Sequence, residues 1–318
     1  MFTLKIVLTD AQTVVDGLVT VDCLKDFGEV IQHGLLKYEE VAEKIEDADM
    51  VIVNKTVMDA GSLRLAKKLK YIGLFATGYN NIDIDYCRAH GITVCNAGSY
   101  STDAVAQQTF ALILEHFNNT AKYNDYVQGG KWKRSPTFSP FVYPLNELSG
   151  KVIGIVGLGA IGQKVAKIAQ AFGMKTIAYN RSPRNVDGVT QVDFDTLLKE
   201  SDVVTVNCPL NKDSERMFNK ETFAKMKQTA LFVNTARGGV VVENDLRDAL
   251  ECGVIGGACI DVLTVEPMIE DCVLMGAKNC IITPHIAWAP LETRQRLMGI
   301  VCDNIRGFLS GKPQNVVS

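Results

Sequence analysis

A chain of 318 residues is long enough for two domains of ordinary size, and 47% hydrophobic residues can give each its own core. The 33 basic against 36 acidic residues leave a net charge of −3, which excludes the excess positive field that a nucleic-acid backbone or an anionic membrane would require. The most apolar stretch, Lys151–Gly162, opens on a charge, is broken by glycines and falls short of the roughly 20 apolar residues of a spanning helix, so no membrane partner is expected.

Met1–Asp10 has no basic region followed by an apolar run and a small-residue cleavage site. It reads as a first strand, and a cytoplasmic location is expected. Short β-rich runs then alternate with helical patterns along the whole chain, the signature of parallel sheets covered by helices on both faces. Strands are predicted at Lys5–Thr9, Met50–Asn54, Tyr71–Phe75 and Thr93–Cys95. A single long helix is predicted over Ser101–Gly129 from Val105, Phe110, Ala111, Leu112, Leu114 and Phe117, with Ser101 or Thr102 as its cap and Gly129-Gly130 as its stop. Lys131–Asn146 carries Trp132, Phe138, Phe141, Tyr143 and three prolines. It is too irregular for a helix and too apolar for a free linker, and is expected to be an ordered arm at a subunit interface.

A second series of six strands is predicted at Val152–Val156, Thr176–Tyr179, Val203–Asn207, Leu231–Asn234, Gly257–Asp261 and Cys280–Thr283. Six buried runs are what a dinucleotide-binding sheet of two halves requires. A last helix is predicted over Leu291–Leu309, ending before Gly311-Lys312-Pro313. If that helix packs back on the first strands, residues 1–99 and 288–318 form one discontinuous domain and residues 100–287 the other, with a cleft between them. The fold class expected is α/β, with two doubly wound parallel sheets, flavodoxin-like in the first domain and Rossmann-like in the second. The nine cysteines are odd in number and contain no Cys-x-x-Cys pair, so they read as free thiols, most of them buried, with no metal site.

Strand Val152–Val156 runs into Gly157-Leu158-Gly159-Ala160-Ile161-Gly162, and a helical pattern over Gln163–Phe172 follows. In that context the first glycine allows a tight turn, the second a close approach of a pyrophosphate, and the third close packing of helix on strand. The next strand ends at Asn180-Arg181-Ser182, near the offset where a carboxylate would grip an adenosine ribose. No carboxylate stands there. Asn180 beside Arg181, with Ser182 and Arg184 close by, suits a 2′-phosphate, so NADP(H) is favoured and NAD(H) is the second choice.

Three strand ends in the second half bear polar groups that packing alone does not need: Asn234–Gly239 with Arg237, Asp261–Pro267 with Glu266, and Thr283–Ala287 with His285. Ligands of open parallel sheets sit beyond the carboxyl ends of strands, so these three can converge. Arg237 offers a fixed cation for a carboxylate, His285 a proton near neutral pH, and Glu266 a partner that sets the His tautomer. Any one of them alone is unremarkable.

Taken in order, Gly157–Gly162, Val206–Leu210, Leu231–Gly239, Asp261 with Glu266-Pro267, and Pro284-His285 resemble the D-isomer-specific 2-hydroxyacid dehydrogenase family over essentially the full chain, including Ala76–Asp83. The resemblance implies that Arg237 binds the substrate carboxylate and keto oxygen, that His285 is the acid/base and that Glu266 pairs with it. It further implies that Asp261 holds the nicotinamide amide, that Thr77-Gly78 completes the carboxylate site with its backbone, and that Ala160, Ile161, Cys208, Pro209, Thr235 and Ala236 line the cofactor. A homodimer meeting through the cofactor domain is also implied. Ser99–Thr109, Tyr143-Pro144-Leu145 and His285–Pro290 are most similar to the glycerate dehydrogenases, also called hydroxypyruvate reductases, so reduction of hydroxypyruvate to D-glycerate, and of glyoxylate, is expected. Lactate- or phosphoglycerate-type dehydrogenases and a dinucleotide-sensing corepressor are the alternatives. Gln107 where the family has Glu, and Ala287-Trp288 after the His where it has a small pair, are departures.

Overall fold

The computed structural model describes residues 4–318; Met1–Thr3, the start of the expected first strand, lie outside the described residues. The chain divides into two compact units, Met1–Tyr100 with Ala289–Ser318, and Ser101–Trp288.

The first unit holds a five-stranded parallel sheet of β1 (Lys5–Leu8), β2 (Glu29–Gln32), β3 (Met50–Val53), β4 (Tyr71–Leu74) and β5 (Thr93–Cys95), in the order β2-β1-β3-β4-β5. That is the flavodoxin-like order. β3 and β4 are buried along their whole length because helices cover both faces, which is why their sequences are unbroken apolar runs. The terminal helix, Leu291–Leu309, belongs to this unit and packs on β4, with the Tyr71 and Phe308 rings 4.9 Å apart. Beyond it, Val317 donates to the carbonyl of Val94 beside β5.

The second unit holds seven parallel strands: β6 (Val152–Val156), β7 (Lys175–Tyr179), β8 (Val189–Gln191), β9 (Val203–Val206), β10 (Leu231–Asn234), β11 (Gly257–Ile260) and β12 (Cys280–Ile282). Their order, β12-β11-β10-β9-β6-β7-β8, is Rossmann-like with one strand added. Alternate residues feed opposite cores: Phe232 joins Phe218 and Phe223 on one face, while Leu231 and Val233 join Ile153, Ile155 and Val165 on the other.

Three expectations need correction. β2 and β8 were not expected, since both are edge strands exposed along much of their length and lack an apolar run to announce them. The single helix over Ser101–Gly129 is two helices, Thr102–Asn118 and Thr120–Gln128. Asn119 between them is left-handed at φ 47°, a conformation Asn tolerates, and its side chain donates to the carbonyl of Pro144 at 2.9 Å. The nine thiols are free, but Cys252 is exposed and four others are half-buried. Among the described residues no helix is long and apolar enough to cross a membrane.

Candidate active site

Register aligns the carboxyl edge of the seven-stranded sheet to a single level. Val156 lies level with Tyr179 and Val206, Val206 with Asn234, Asn234 with Ile260, and Ile260 with Ile282. The residues that follow are Gly157, Asn180, Asn207, Thr235, Asp261 and Thr283, so the polar groups singled out from the sequence emerge as one row. The order reverses at β6, between β7 and β9, and a crevice for a ligand opens at such a point.

The glycine turn fits a dinucleotide. Gly157 has φ 96°, and a Cβ there would lie 2.8 Å from the amide nitrogen of Cys208. A Cβ on Gly162 would lie 2.1 Å from the carbonyl oxygen of Gly157, so helix and strand touch only because both residues are glycine. At Gly159 a Cβ would meet open space, where a phosphate can approach, and the helix that begins there, Ala160–Ala171, has no side-chain cap on its first amides. Ala160 and Ile161 form its first turn. Asn207 Oδ1 is buried without a hydrogen-bond partner at the same edge, an acceptor awaiting a donor. Cys208 and Pro209 follow it, and burial pushes the Cys208 thiol up.

Asn180 serves the turn itself, because its Oδ1 accepts from the Leu158 amide at 2.9 Å and its Nδ2 donates to the carbonyl of Ser182 at 2.6 Å. Arg181 Nη1 pairs with Asp213 Oδ2 at 3.0 Å on the exposed surface.

Three strand ends carry the polar groups singled out from the sequence. After β10, Asn234 Oδ1 accepts from the Ala236 amide and its Nδ2 donates to the carbonyl of Arg237, a local Asx turn that holds the Arg237 backbone. Thr235 Oγ1 lies 3.0 Å from Thr109 Oγ1, and Gly238 packs so tightly on the Leu263 carbonyl that no side chain could replace it. After β11, Asp261 is 1% exposed. Its Oδ1 accepts from Thr283 Oγ1 and the Ile286 amide, and its Oδ2 from the Ala287 amide at 2.9 Å. These bonds clamp the turn carrying His285, whose φ of 53° is strained for a non-glycine residue. His285 Nδ1 meets Glu266 Oε2 at 2.6 Å, and Glu266 Oε1 accepts from the Leu263 amide at 2.9 Å. The pair is three-quarters shielded at the His, with its carboxylate anchored, so the imidazole is held in one orientation.

Within the second unit, then, the structure brings His285 and Glu266 into contact, and it sets Arg237, Asp261 and the glycine turn on one edge. Thr77 and Gly78 belong to the first unit, in the loop after β4, where the carbonyl of Thr77 accepts from Asn96 Nδ2 at 2.8 Å and Thr77 Oγ1 donates to the carbonyl of Gly98. The bracing roles of Asn234, Thr109 and Asp261 were missed from the sequence. Of these, only the Asn two residues before Ala236 carries a local signal, as an Asx turn. Among the described residues no group of three or more His, Cys, Asp or Glu could hold a metal ion.

Residues 110–287 match the family described as D-isomer specific 2-hydroxyacid dehydrogenase, NAD binding domain. A hydroxypyruvate reductase of Blautia hydrogenotrophica is 42% identical, over 99% of this chain and 100% of that protein. A glycerate dehydrogenase of Methylorubrum extorquens is 40% identical over 88% of each. The solved structure of an acyclic imino acid reductase with NADPH and D-Arg superposes with a TM-score of 0.89 at 31% identity, covering 99% of this chain and 100% of that one. Likeness at this level across nearly the whole length, on two parallel sheets of the same kind, means that the chain belongs to the D-isomer specific 2-hydroxyacid dehydrogenase family, oxidoreductases that act on a CH–OH group with a nicotinamide dinucleotide.

Proposed function

We propose that the chain reduces hydroxypyruvate to D-glycerate, and glyoxylate to glycolate, with NADPH favoured over NADH. The observation that carries this reading is the 2.6 Å contact of His285 with Glu266 on the sheet edge that also bears Arg237 and the glycine turn. The relatives named hydroxypyruvate reductase and glycerate dehydrogenase support the substrate class.

When bound, a reduced nicotinamide supplies the hydride that C2 of the keto acid accepts. Glu266 accepts a hydrogen bond from Nδ1–H of His285, which leaves Nε2–H to deliver a proton to the keto oxygen as negative charge grows there. Arg237 grips the carboxylate and opposes the charge developing on the oxygen, and the backbone of Thr77-Gly78 adds donors to the carboxylate. The site rows at the ends of β6, β7, β9, β10 and β11 orient the dinucleotide. The test is a panel of 2-keto acids assayed with NADH and NADPH in parallel. Highest kcat/KM for hydroxypyruvate is expected; a preference for pyruvate, or dinucleotide binding with no turnover of any keto acid, removes the reading.

The cofactor preference rests on the absent carboxylate at position 180. A 2′-phosphate must draw Arg181 away from Asp213, and breaking an exposed pair costs only about 0–1 kcal/mol, against about 1.5–3 kcal/mol for a new charge-assisted bond. Phosphate therefore wins. Asp213→Asn frees Arg181 and should raise kcat/KM for NADPH by a few-fold while leaving NADH unchanged; an equal response of both cofactors would show that Arg181 does not meet the phosphate.

The protein acts as a cytoplasmic homodimer meeting through the Lys131–Asn146 arm. Phe138 and Phe141 are 89% and 85% exposed, yet the arm is held in place by Trp132 Nε1 donating to the Phe138 carbonyl and by Tyr123 OH donating to that of Tyr143. Replacing both phenylalanines by Ser should halve the mass seen by light scattering. An unchanged mass would put the contact elsewhere.

A further inference from the structure

The geometry points to Asp10 as a positioning residue for the substrate loops of the first unit, an inference that rests on the reading of Thr77-Gly78 as part of the carboxylate site. Asp10 stands just beyond β1 and is fully buried. The sheet order β2-β1-β3-β4-β5 reverses at β1, so the crevice of this sheet opens between the carboxyl ends of β1 and β3. Three consecutive amides of the loop after β3, Asn54, Lys55 and Thr56, turn their N–H groups into that crevice. Such a run of amides is a ready anion site. Here the anion is the protein's own: Asp10 Oδ1 accepts from Asn54 at 2.9 Å, and Oδ2 accepts from Lys55 at 2.5 Å, from the Thr56 amide at 2.9 Å and from Thr56 Oγ1 at 3.1 Å.

A buried carboxylate is costly unless it is fully hydrogen-bonded, and four donors on one side chain leave the Asn54–Thr56 loop a single conformation. That loop is bonded onward. Asn81 Nδ2 donates to the carbonyl of Thr56 at 2.8 Å and to that of Asn54 at 3.4 Å, while the amide of Met58 donates to the carbonyl of Asn81 at 2.8 Å. Asn81 closes the segment that begins at Thr77-Gly78. Thus the Asp10 carboxylate fixes the β3 loop, the β3 loop fixes Asn81, and Asn81 fixes the loop offered to the substrate. Filling the β1/β3 crevice from within also denies it to a substrate anion, which is left the loop after β4.

Asp10→Asn has nearly the same shape but only one acceptor oxygen: with its NH2 at the Oδ2 position the Lys55 and Thr56 amides lose their bonds, and with it at the Oδ1 position the Asn54 amide faces an NH2 group and keeps only its longer bond of 3.1 Å to Oδ2. We expect KM for the keto acid to rise about tenfold, the size of one lost hydrogen bond in a binding constant. The dissociation constant of the reduced dinucleotide alone, measured by fluorescence titration, should stay unchanged, because the glycine turn lies in the other unit. A merely structural role would instead lower the melting temperature and the active fraction, hence apparent kcat, at unchanged KM. Gly78→Ala, measured alongside, tests the reading beneath. If Gly78→Ala raises KM and Asp10→Asn does not, the positioning role is overturned; if neither raises it, Thr77-Gly78 is not the carboxylate site and both fall. Should Asp10→Asn fail to fold, Thr56→Val, which removes one donor and keeps the shape, decides in the same way with a KM rise of a few-fold expected.

Discussion

His285 occupies a left-handed backbone position that a residue with a Cβ adopts at a cost of about 1–3 kcal/mol, and the surrounding bonds over-determine it. Its amide donates to the carbonyl of Asp261, and the next two amides donate to the Asp261 carboxylate. His285→Ala should therefore lower kcat by about 10²–10⁴ while dinucleotide binding persists; near-normal turnover would remove the proposed proton donor. Asp261→Asn is expected to lower kcat without abolishing binding, since one of the two clamped amides would face an NH2 group. A normal rate in that variant would mean the turn holds His285 unaided. Arg237→Lys exchanges a planar fork for a point charge and should lower kcat/KM for the keto acid. The placement of Arg237, Glu266 and His285 just beyond strands was legible in the sequence, because polar groups interrupt the apolar pattern there. The bracing contacts of Asp10, Asn81 and Asp261 were not, because each joins residues on different strands and only register brings them together.

At the scale of elements, legibility follows burial. β3, β4, β9 and β10 are covered on both faces, so their apolar runs marked them almost to the residue, whereas β2 and β8 at sheet edges carry no such run. The helix break at Asn119 depends on a carbonyl 25 residues further along, which no local pattern reports. Phe232 lies fully buried with its ring 4.7 Å from that of Phe218 and 5.4 Å from that of Phe223. Phe232→Ala should destabilise the second unit by about 3–5 kcal/mol, read by chemical denaturation. A loss below about 1 kcal/mol would show that the cluster collapses around the gap.

Acid responses belong to the molecule as a whole, since each unit holds a histidine below its ordinary value near 6.5. Burial lowers His33 in the first unit, assisted by Lys44, and burial lowers His116 in the second, assisted by Lys122. Both are thus less willing to take a proton folded than unfolded. Stability is fully present above the unfolded value and declines as pH falls from there toward the folded ones. The melting temperature should drop between about pH 7 and about pH 5, and less steeply in His116→Gln. An identical slope in that variant would assign the acid loss to other groups.

The division of the chain also dictates an order of events during synthesis. The first unit is begun by Lys5 and finished only by the terminal helix and the residues around Val317 that bond beside β5, so all of residues 101–288 must emerge from the ribosome in between. At about 5–20 residues per second that interval is on the order of ten to forty seconds. The second unit, though later in the chain, is complete first, and throughout that interval the flank of β4 that receives Phe308 stands uncovered. Nascent chains arrested once residue 288 has just emerged should accordingly yield a protease-resistant fragment from the second unit and none from the first.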